Sequence, residues 1–210
     1  MRLNTHTQSY ADLYLSSHAN ANDKKYRMDY WNHFLLDSLL NKDKKTPTHL
    51  LEEGGGTCGV WSTLSFDEYT SVDISEPMTE SAKALHQDYP ERHFVHGDIF
   101  SQSLLPGSYS AIIANAYGIY YRPNLGALRR FHELLARDGL LFVAIDPLVR
   151  MRHYAVSPAA GLINRHIRPY TRMASESFTR LIELADLKVW TSVDYTPAPG
   201  WQRKAFILTK

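Results

Sequence analysis

Five short apolar runs separated by stretches of helical character constrain the fold of this chain more than any other feature. The runs occupy residues 48–52, 69–73, 93–96, 111–115 and 140–145. Each has the length of a strand, and two parallel strands can be joined only through a crossover of a dozen or more residues, usually a helix. Helix punctuation fills the gaps: Ser75 stands at a cap position with Pro77 in the turn that follows, and residues 125–137 run into Asp138-Gly139, a good helix stop. The alternation predicts βαβ units and an α/β fold built on a doubly wound, mostly parallel sheet. The ending breaks the rhythm. A helix over residues 176–186 leads to a run at 187–195, then Thr-Pro-Ala-Pro-Gly, then a run at 203–209. A turn that short can only join antiparallel strands, so the expected sheet has seven strands and an antiparallel C-terminal pair.

Composition sets the frame around that sheet. A chain of 210 residues suits one domain that buries roughly 70–75% of its unfolded surface, and no repeat or interdomain linker divides it. The expectation is one domain over residues 1–210. Within it, Tyr30, Trp31, Phe34, Leu35 and Leu39 recur at helical spacing, which makes residues 1–45 a helical lid. Lys and Arg number 23 against 22 Asp and Glu, a net charge of +1, so no global field draws the chain to nucleic acid or to an acidic membrane. Cys58 is the single cysteine and fits a reducing compartment. The first residues hold no apolar signal core and the longest apolar run is 140–145, so a soluble, cytoplasmic protein is expected.

The candidate ligand site follows the first run, in Leu50-Leu51-Glu52-Glu53-Gly54-Gly55-Gly56-Thr57-Cys58-Gly59. Glycines at the end of a strand let a ligand approach the backbone and make positive φ inexpensive. Three in a row raise the entropy lost on folding, so more than a tight turn is expected of them. The spacing Gly54-x-Gly56-x-x-Gly59, with Asp73 about 20 residues on, also meets the dinucleotide fingerprint. On the residues alone, a nicotinamide dinucleotide and S-adenosylmethionine remain alternatives, since both need a close backbone and a carboxylate for ribose hydroxyls.

Further segments resemble, in order, those of the class I S-adenosylmethionine-dependent methyltransferases of small-molecule type. Glu52-Glu53-Gly54-Gly55-Gly56-Thr57 resembles the family's E-x-G-x-G-T loop, and Val72-Asp73-Ile74-Ser75-Glu76-Pro77-Met78 its V-D-x-S-x-x-M segment. His96-Gly97-Asp98-Ile99 resembles the G-D-x segment after the third strand. Leu134-Leu135-Ala136-Arg137-Asp138-Gly139-Leu140-Leu141 resembles L-L-x-P-G-G-x-L, with Asp138 in place of a glycine. The resemblance spans roughly residues 26–210 and implies a Rossmann-like methyltransferase domain that binds S-adenosyl-L-methionine. It implies that Gly54 and Gly56 pass beneath the methionine part of the cofactor, that Asp73 accepts from both ribose hydroxyls, and that Asp98 accepts from the adenine amino group. Cofactor contacts from Glu52, Ile74 and Ile99 follow from the same segments, with Asn115 near the ligand ammonium and Arg27 on its carboxylate. Cys58 stands where the family has a third glycine, and Ser110 where it often has an aspartate.

The acceptor side is read from two later stretches. Asn115-Ala116-Tyr117-Gly118-Ile119-Tyr120-Tyr121-Arg122-Pro123 follows the fourth run, and Tyr120 and Tyr121 stand where small-molecule members often carry histidines near the transferring methyl. From Asp146 to Glu176 no acidic residue intervenes, while Arg150, Arg152, Arg165, Arg168 and Arg172 occur with His153 and His166. Residues 147–175 are read as a basic cap over the carboxyl ends of the strands. There Arg150, Arg152 and Arg165, with Tyr117, would bind a polar or anionic acceptor, because guanidinium forks suit carboxylate and phosphate. Tyr120, Tyr121 and His153 are the candidate catalytic residues, and N- and O-methylation both stay open.

Other chemistries fit less well. There is no G-x-S-x-G elbow, no H-E-x-x-H and no cysteine pair, so no metal site is expected. His93 and His96 face opposite sides of a strand. An NAD(P)-dependent oxidoreductase lacks a Tyr-x-x-x-Lys pair, and aminopropyl transfer lacks carboxylates after the fourth run. An RNA- or protein-modifying methyltransferase and a non-catalytic cofactor-binding subunit are the remaining alternatives. No nucleic-acid or membrane partner is expected, and a homodimer is compatible with the sequence.

Overall fold

The computed structural model describes residues 49–56, 66–114, 124–145, 174–198 and 201–210. The strands are β1 (His49–Glu53), β2 (Glu68–Asp73), β3 (Arg92–His96), β4 (Tyr109–Ala114), β5 (Leu135–Ile145), β6 (Lys188–Ala198) and β7 (Trp201–Thr209). Three helices are described: α1 (Glu76–Leu85), α2 (Leu125–Leu134) and α3 (Ser175–Leu184). The strands form one mixed sheet in the order β3-β2-β1-β4-β5-β7-β6, the α/β arrangement expected from the alternating runs. The chain divides into two compact units, Met1–Leu104 and Leu105–Lys210.

In the first unit β1, β2 and β3 are parallel neighbours, with Glu52 opposite Ser71, Val72 opposite Val95, and Asp73 opposite His96. Leu50, Leu51, Tyr69 and Val72 are almost wholly buried, which explains why β1 and β2 read as short apolar runs, whereas β3 at the sheet edge holds no buried residue. Helix α1 buries Met78, Thr79 and Ala82, positions one turn apart on one face. Ser75 does occupy its N-cap position, but the hydroxyl makes no capping bond. The Ser75 N–H donates to Asp73 Oδ1 at 2.8 Å and its carbonyl accepts from Thr79 N–H at 3.0 Å.

In the second unit β4 and β5 are parallel, β7 runs antiparallel to β5, and β6 antiparallel to β7. The terminal pair is therefore as expected, although β6 extends through Ala198 and pairs it with Trp201, so most of the Thr-Pro-Ala-Pro-Gly stretch belongs to a strand. Leu128, Phe131 and Leu134 of α2 are fully buried, as are Phe142 and Phe178. The Phe178 ring meets Phe206 edge-on at 5.1 Å between centroids.

Two boundaries differ from the sequence reading. Helix α2 stops at Leu134, three residues before Arg137, because Leu135 is already extended (φ −66, ψ 135) and pairs with Tyr109. The register then jumps to Ala111 opposite Leu140, so residues 136–139 form a bulge within β5. A Cβ on Gly139 would come within 2.7 Å of Leu135 Cδ1 and 2.9 Å of the Tyr109 carbonyl, so this glycine permits a close approach inside the strand and is not a helix stop. Helix α3 begins at Ser175 and ends at Leu184, and its exit is made by Asp186 at φ 59. Ser175, assigned to the end of the basic cap, is thus the first residue of α3. The lid over residues 1–45 and the cap over 147–173 lie outside the described residues.

Candidate functional site

Within the first unit, the carboxyl ends of β1, β2 and β3 place three loops side by side. The glycine loop leaves β1 with Gly54 at φ 66 and Gly56 at φ 57. Any residue with a Cβ would pay roughly 1–2 kcal/mol for this left-handed backbone. Gly54 N–H donates to the Val72 carbonyl at 2.8 Å, which ties the start of the loop to β2. Gly55 is required for a different reason. A Cβ there would overlap Ser71 Oγ and sit 3.3 Å from the Glu52 carboxylate.

Asp73, the last residue of β2, joins this loop to the next. Its Oδ2 accepts from Gly56 N–H at 2.9 Å and its Oδ1 from Ser75 N–H at 2.8 Å. An ionised carboxylate has about four acceptor positions, so these two bonds fix its direction while using only part of its capacity. The side chain is half-buried, and Ile74 immediately after it is 37% exposed. The Asp73 carbonyl accepts from Gly97 N–H at 2.8 Å, which brings the loop after β3 alongside.

That third loop begins at Gly97, with φ 151 and the Gln102 amide packed where a Cβ would stand. Asp98 then heads a tight turn. Its Oδ1 accepts from Phe100 N–H at 2.9 Å, and its carbonyl accepts from the N–H groups of Ser101 and Gln102 at 2.9 and 3.0 Å. The Asp98 side chain is exposed while its direction is held by the turn. Ile99 points into the core at 3% exposure, whereas the Phe100 ring is 49% exposed.

Of the residues singled out in the sequence, Glu52, Gly54, Gly56, Asp73, Ile74, Asp98 and Ile99 therefore cluster at one end of three adjacent strands. Their postures differ. Glu52 is 1% exposed, beneath the loop, and accepts from the Tyr69 hydroxyl at 2.5 Å. Sequence reasoning singled out neither Tyr69 nor Phe100. Tyr69 read as one more apolar member of a strand, and nothing in the spacing distinguished Phe100 from Ile99. Arg27, Asn115, Tyr117, Tyr120, Tyr121, Arg150, Arg152, His153, Arg165 and His166 lie outside the described residues. Among the described residues, no helix is long and apolar enough to cross a membrane, and no three His, Cys, Asp or Glu side chains gather as metal ligands would.

An exposed apolar side chain beside a fixed carboxylate, with bare backbone opposite, suits a nucleoside whose base stacks while its sugar donates hydrogen bonds. Comparison with known proteins agrees with that chemistry. Residues 51–143 match the model of a family described as a methyltransferase domain. No curated protein sequence matches significantly. Among solved structures, the chain is similar to phosphoethanolamine N-methyltransferase 2 of Haemonchus contortus in complex with S-adenosyl-L-methionine. The TM-score is 0.71 at 13% identity, over 99% of this chain and 58% of that one; the chain thus spans little more than half the length of that protein. It is also similar to a SAM-dependent methyltransferase of Leishmania major, with a TM-score of 0.68 and 15% identity over 90% of this chain and 74% of that one. A third similar structure is a complex between the Trm112 methyltransferase activator of Haloferax volcanii and a methyltransferase, with a TM-score of 0.67 and 15% identity over 97% of this chain and 97% of the matched one. The matched segment, residues 51–143, contains the glycine loop, Asp73 and Asp98 and is similar to a methyltransferase domain, and the chain shares its fold with these S-adenosylmethionine-dependent methyltransferases.

Proposed function

We propose that this protein transfers the methyl group of S-adenosylmethionine to a nitrogen or oxygen of a small polar or anionic metabolite in the cytoplasm. The observation that carries the reading is the Asp73 carboxylate, held by Gly56 and Ser75 N–H groups at the mouth of a loop whose glycines keep the backbone bare. In this reading Asp73 accepts from the ribose hydroxyls, Ile74 lies on the adenine face and Asp98 accepts from the adenine amino group. Gly54 and Gly56 pass under the methionine part, whose charged ends meet Arg27 and Asn115.

The bound cofactor supplies an electrophilic methyl on a sulfonium. The protein's share is positional: it holds acceptor, methyl and sulfur in line, at about 3–3.5 Å between reacting atoms, and keeps water away. Tyr117, Arg150, Arg152 and Arg165 are assigned to the acceptor. Tyr120, Tyr121 and His153 orient it or take its proton where a hydroxyl reacts. Two observations support an anionic acceptor: the arginine-rich, acid-free segment between Asp146 and Glu176, and the phosphoethanolamine named for one similar structure. The single cysteine supports a reducing compartment.

The test is to incubate purified protein with S-adenosylmethionine carrying a labelled methyl and a metabolite extract, then identify the labelled product by mass spectrometry. A small, polar or anionic labelled product is expected. Tight cofactor binding with no S-adenosylhomocysteine formed from any extract would sink the enzymatic reading, and label found only in RNA or protein would overturn the acceptor class.

A further inference from the structure

Beneath the glycine loop lies a buried polar pair: Glu52, expected from the resemblance to contact the cofactor, and Tyr69, so far without a purpose. Leu50 and Glu52 point to one face of β1, and Tyr69 and Ser71, their register partners, point to the same face of β2. Tyr69 reaches along that face and donates its hydroxyl to Glu52 Oε2 at 2.5 Å, with both residues only 1% exposed. The Glu52 carboxylate in turn sits against the loop, 3.3 Å from where a Gly55 Cβ would stand. A carboxylate this deep needs donors, and truncating one of them leaves it partly unsatisfied. Tyrosine meets the need with little rotamer freedom: its ring packs as core, edge-on to Phe94 at 6.2 Å, while its hydroxyl serves the acid.

We infer that Tyr69 is a positioning residue of the cofactor loop, holding the Glu52 carboxylate under Gly55 so that a fixed negative charge faces the cationic half of the cofactor. The inference rests on the cofactor reading above and adds a residue to it. Charge at a buried position acts through less screening than charge at the surface. A carboxylate held beneath the loop therefore favours a ligand carrying an ammonium and a sulfonium, and is indifferent to a nucleoside that carries neither. A phenol that only filled the core would make no such distinction.

That difference gives the experiment. S-Adenosylmethionine and 5′-methylthioadenosine, which lacks the amino-acid half and the positive charges, are titrated calorimetrically into wild-type protein, Tyr69→Phe, Glu52→Gln and the double variant, each checked for folding by circular dichroism. Tyr69→Phe is expected to weaken S-adenosylmethionine by about fivefold to tenfold and to leave 5′-methylthioadenosine within about twofold. In the Glu52→Gln background the same change should add nothing, because the two residues act as one unit. Should Tyr69→Phe not fold, 3,5-difluorotyrosine introduced at that position keeps the ring and acidifies the phenol. It is expected to change affinity for S-adenosylmethionine alone. Equal weakening of both ligands, no weakening of either, or additive effects of the two substitutions overturns the inference. Wild-type protein that binds neither ligand overturns the cofactor reading itself, and this inference with it.

Discussion

Asp73 joins a structural role to a proposed ligand-binding one in a single carboxylate, and the two kinds of role can be separated by mutation. It closes the glycine loop through Gly56 and starts α1 through Ser75, and in the proposed function it also receives the ribose. Asp73→Ala should remove all of these at once. Affinity for S-adenosylmethionine should fall by about a hundredfold or more, and stability by about 1–3 kcal/mol for the orphaned N–H groups. Asp73→Asn keeps one acceptor oxygen, so in calorimetry and denaturant titration it should recover part of the stability and little of the affinity. Equal recovery of both would argue that the carboxylate serves the loop alone. The clustering of the glycine loop with Asp73 and Asp98 was legible in the sequence, because positive φ and close backbone approach demand glycine where a strand ends and because each aspartate stands at the end of a neighbouring run. Gly55 makes the limit of that legibility clear. Its need comes from Ser71 and Glu52, contacts across strands that no local spacing encodes. Tyr69 was hidden for a related reason, since a buried tyrosine inside an apolar run looks the same whether its hydroxyl serves a carboxylate or merely finds a partner.

At the scale of elements, the junction of α2 and β5 is where local and tertiary preferences part. Arg137-Asp138-Gly139 resembles a helix end, yet the helix has already stopped, because Leu135 gains a strand partner in Tyr109 and a fully buried position. Pairing and burial outweigh the few tenths of a kcal/mol per residue at stake in helix propensity. Gly139 then lets the chain fold back into register with Leu140 opposite Ala111. Gly139→Ala should therefore be destabilising by about 1–3 kcal/mol, since the added methyl meets the fixed Tyr109 carbonyl at 2.9 Å as well as the movable Leu135 side chain. In urea the midpoint should fall with the slope unchanged. A midpoint equal to that of the parent would mean that the bulge relaxes freely and is no constraint on the sheet. The strands themselves were the most legible elements: each observed strand from β1 to β5 overlaps a predicted run, most plainly in β1, β2, β4 and β5, whose burial leaves their apolar character undisguised, while the edge strand β3 holds no buried residue.

For the molecule as a whole, the displaced pKa values among the described residues contribute to how stability responds to acid. His49 opens β1 half-buried, with Nε2 at 3.2 Å from Thr70 Oγ1 and Nδ1 at 3.6 Å from Glu68. Desolvation pulls its pKa below the ordinary 6.5, and the charge of His93 adds to the effect while Glu68 opposes it. His132 on α2 is displaced in the same direction, again chiefly by desolvation, with Lys210 reinforcing and Asp186 opposing. One of these histidines lies in each compact unit. Because both fold with a pKa lower than in the unfolded chain, the unfolded state takes up protons that the folded state refuses once the pH drops below about 6.5. Stability is then complete above that value and is lost as the pH falls toward the folded pKa values. Glu91, whose pKa is lowered from 4.5 by its backbone hydrogen bond first and by Arg92 as well, adds to the loss only in stronger acid. Urea midpoints should accordingly be level from about pH 8 to 7 and decline as the pH falls below about 6.5. Replacing His49 or His132 with glutamine should make that decline shallower, and replacing both shallower still. A decline of undiminished slope in the doubly substituted protein would place the acid sensitivity elsewhere in the chain. Since a ligand that binds only the folded state raises its stability by about 2.7 kcal/mol at a hundred times its Kd, saturating S-adenosylmethionine should lift the whole curve and leave its turning point near pH 6.5, unless the cofactor itself contacts one of these histidines.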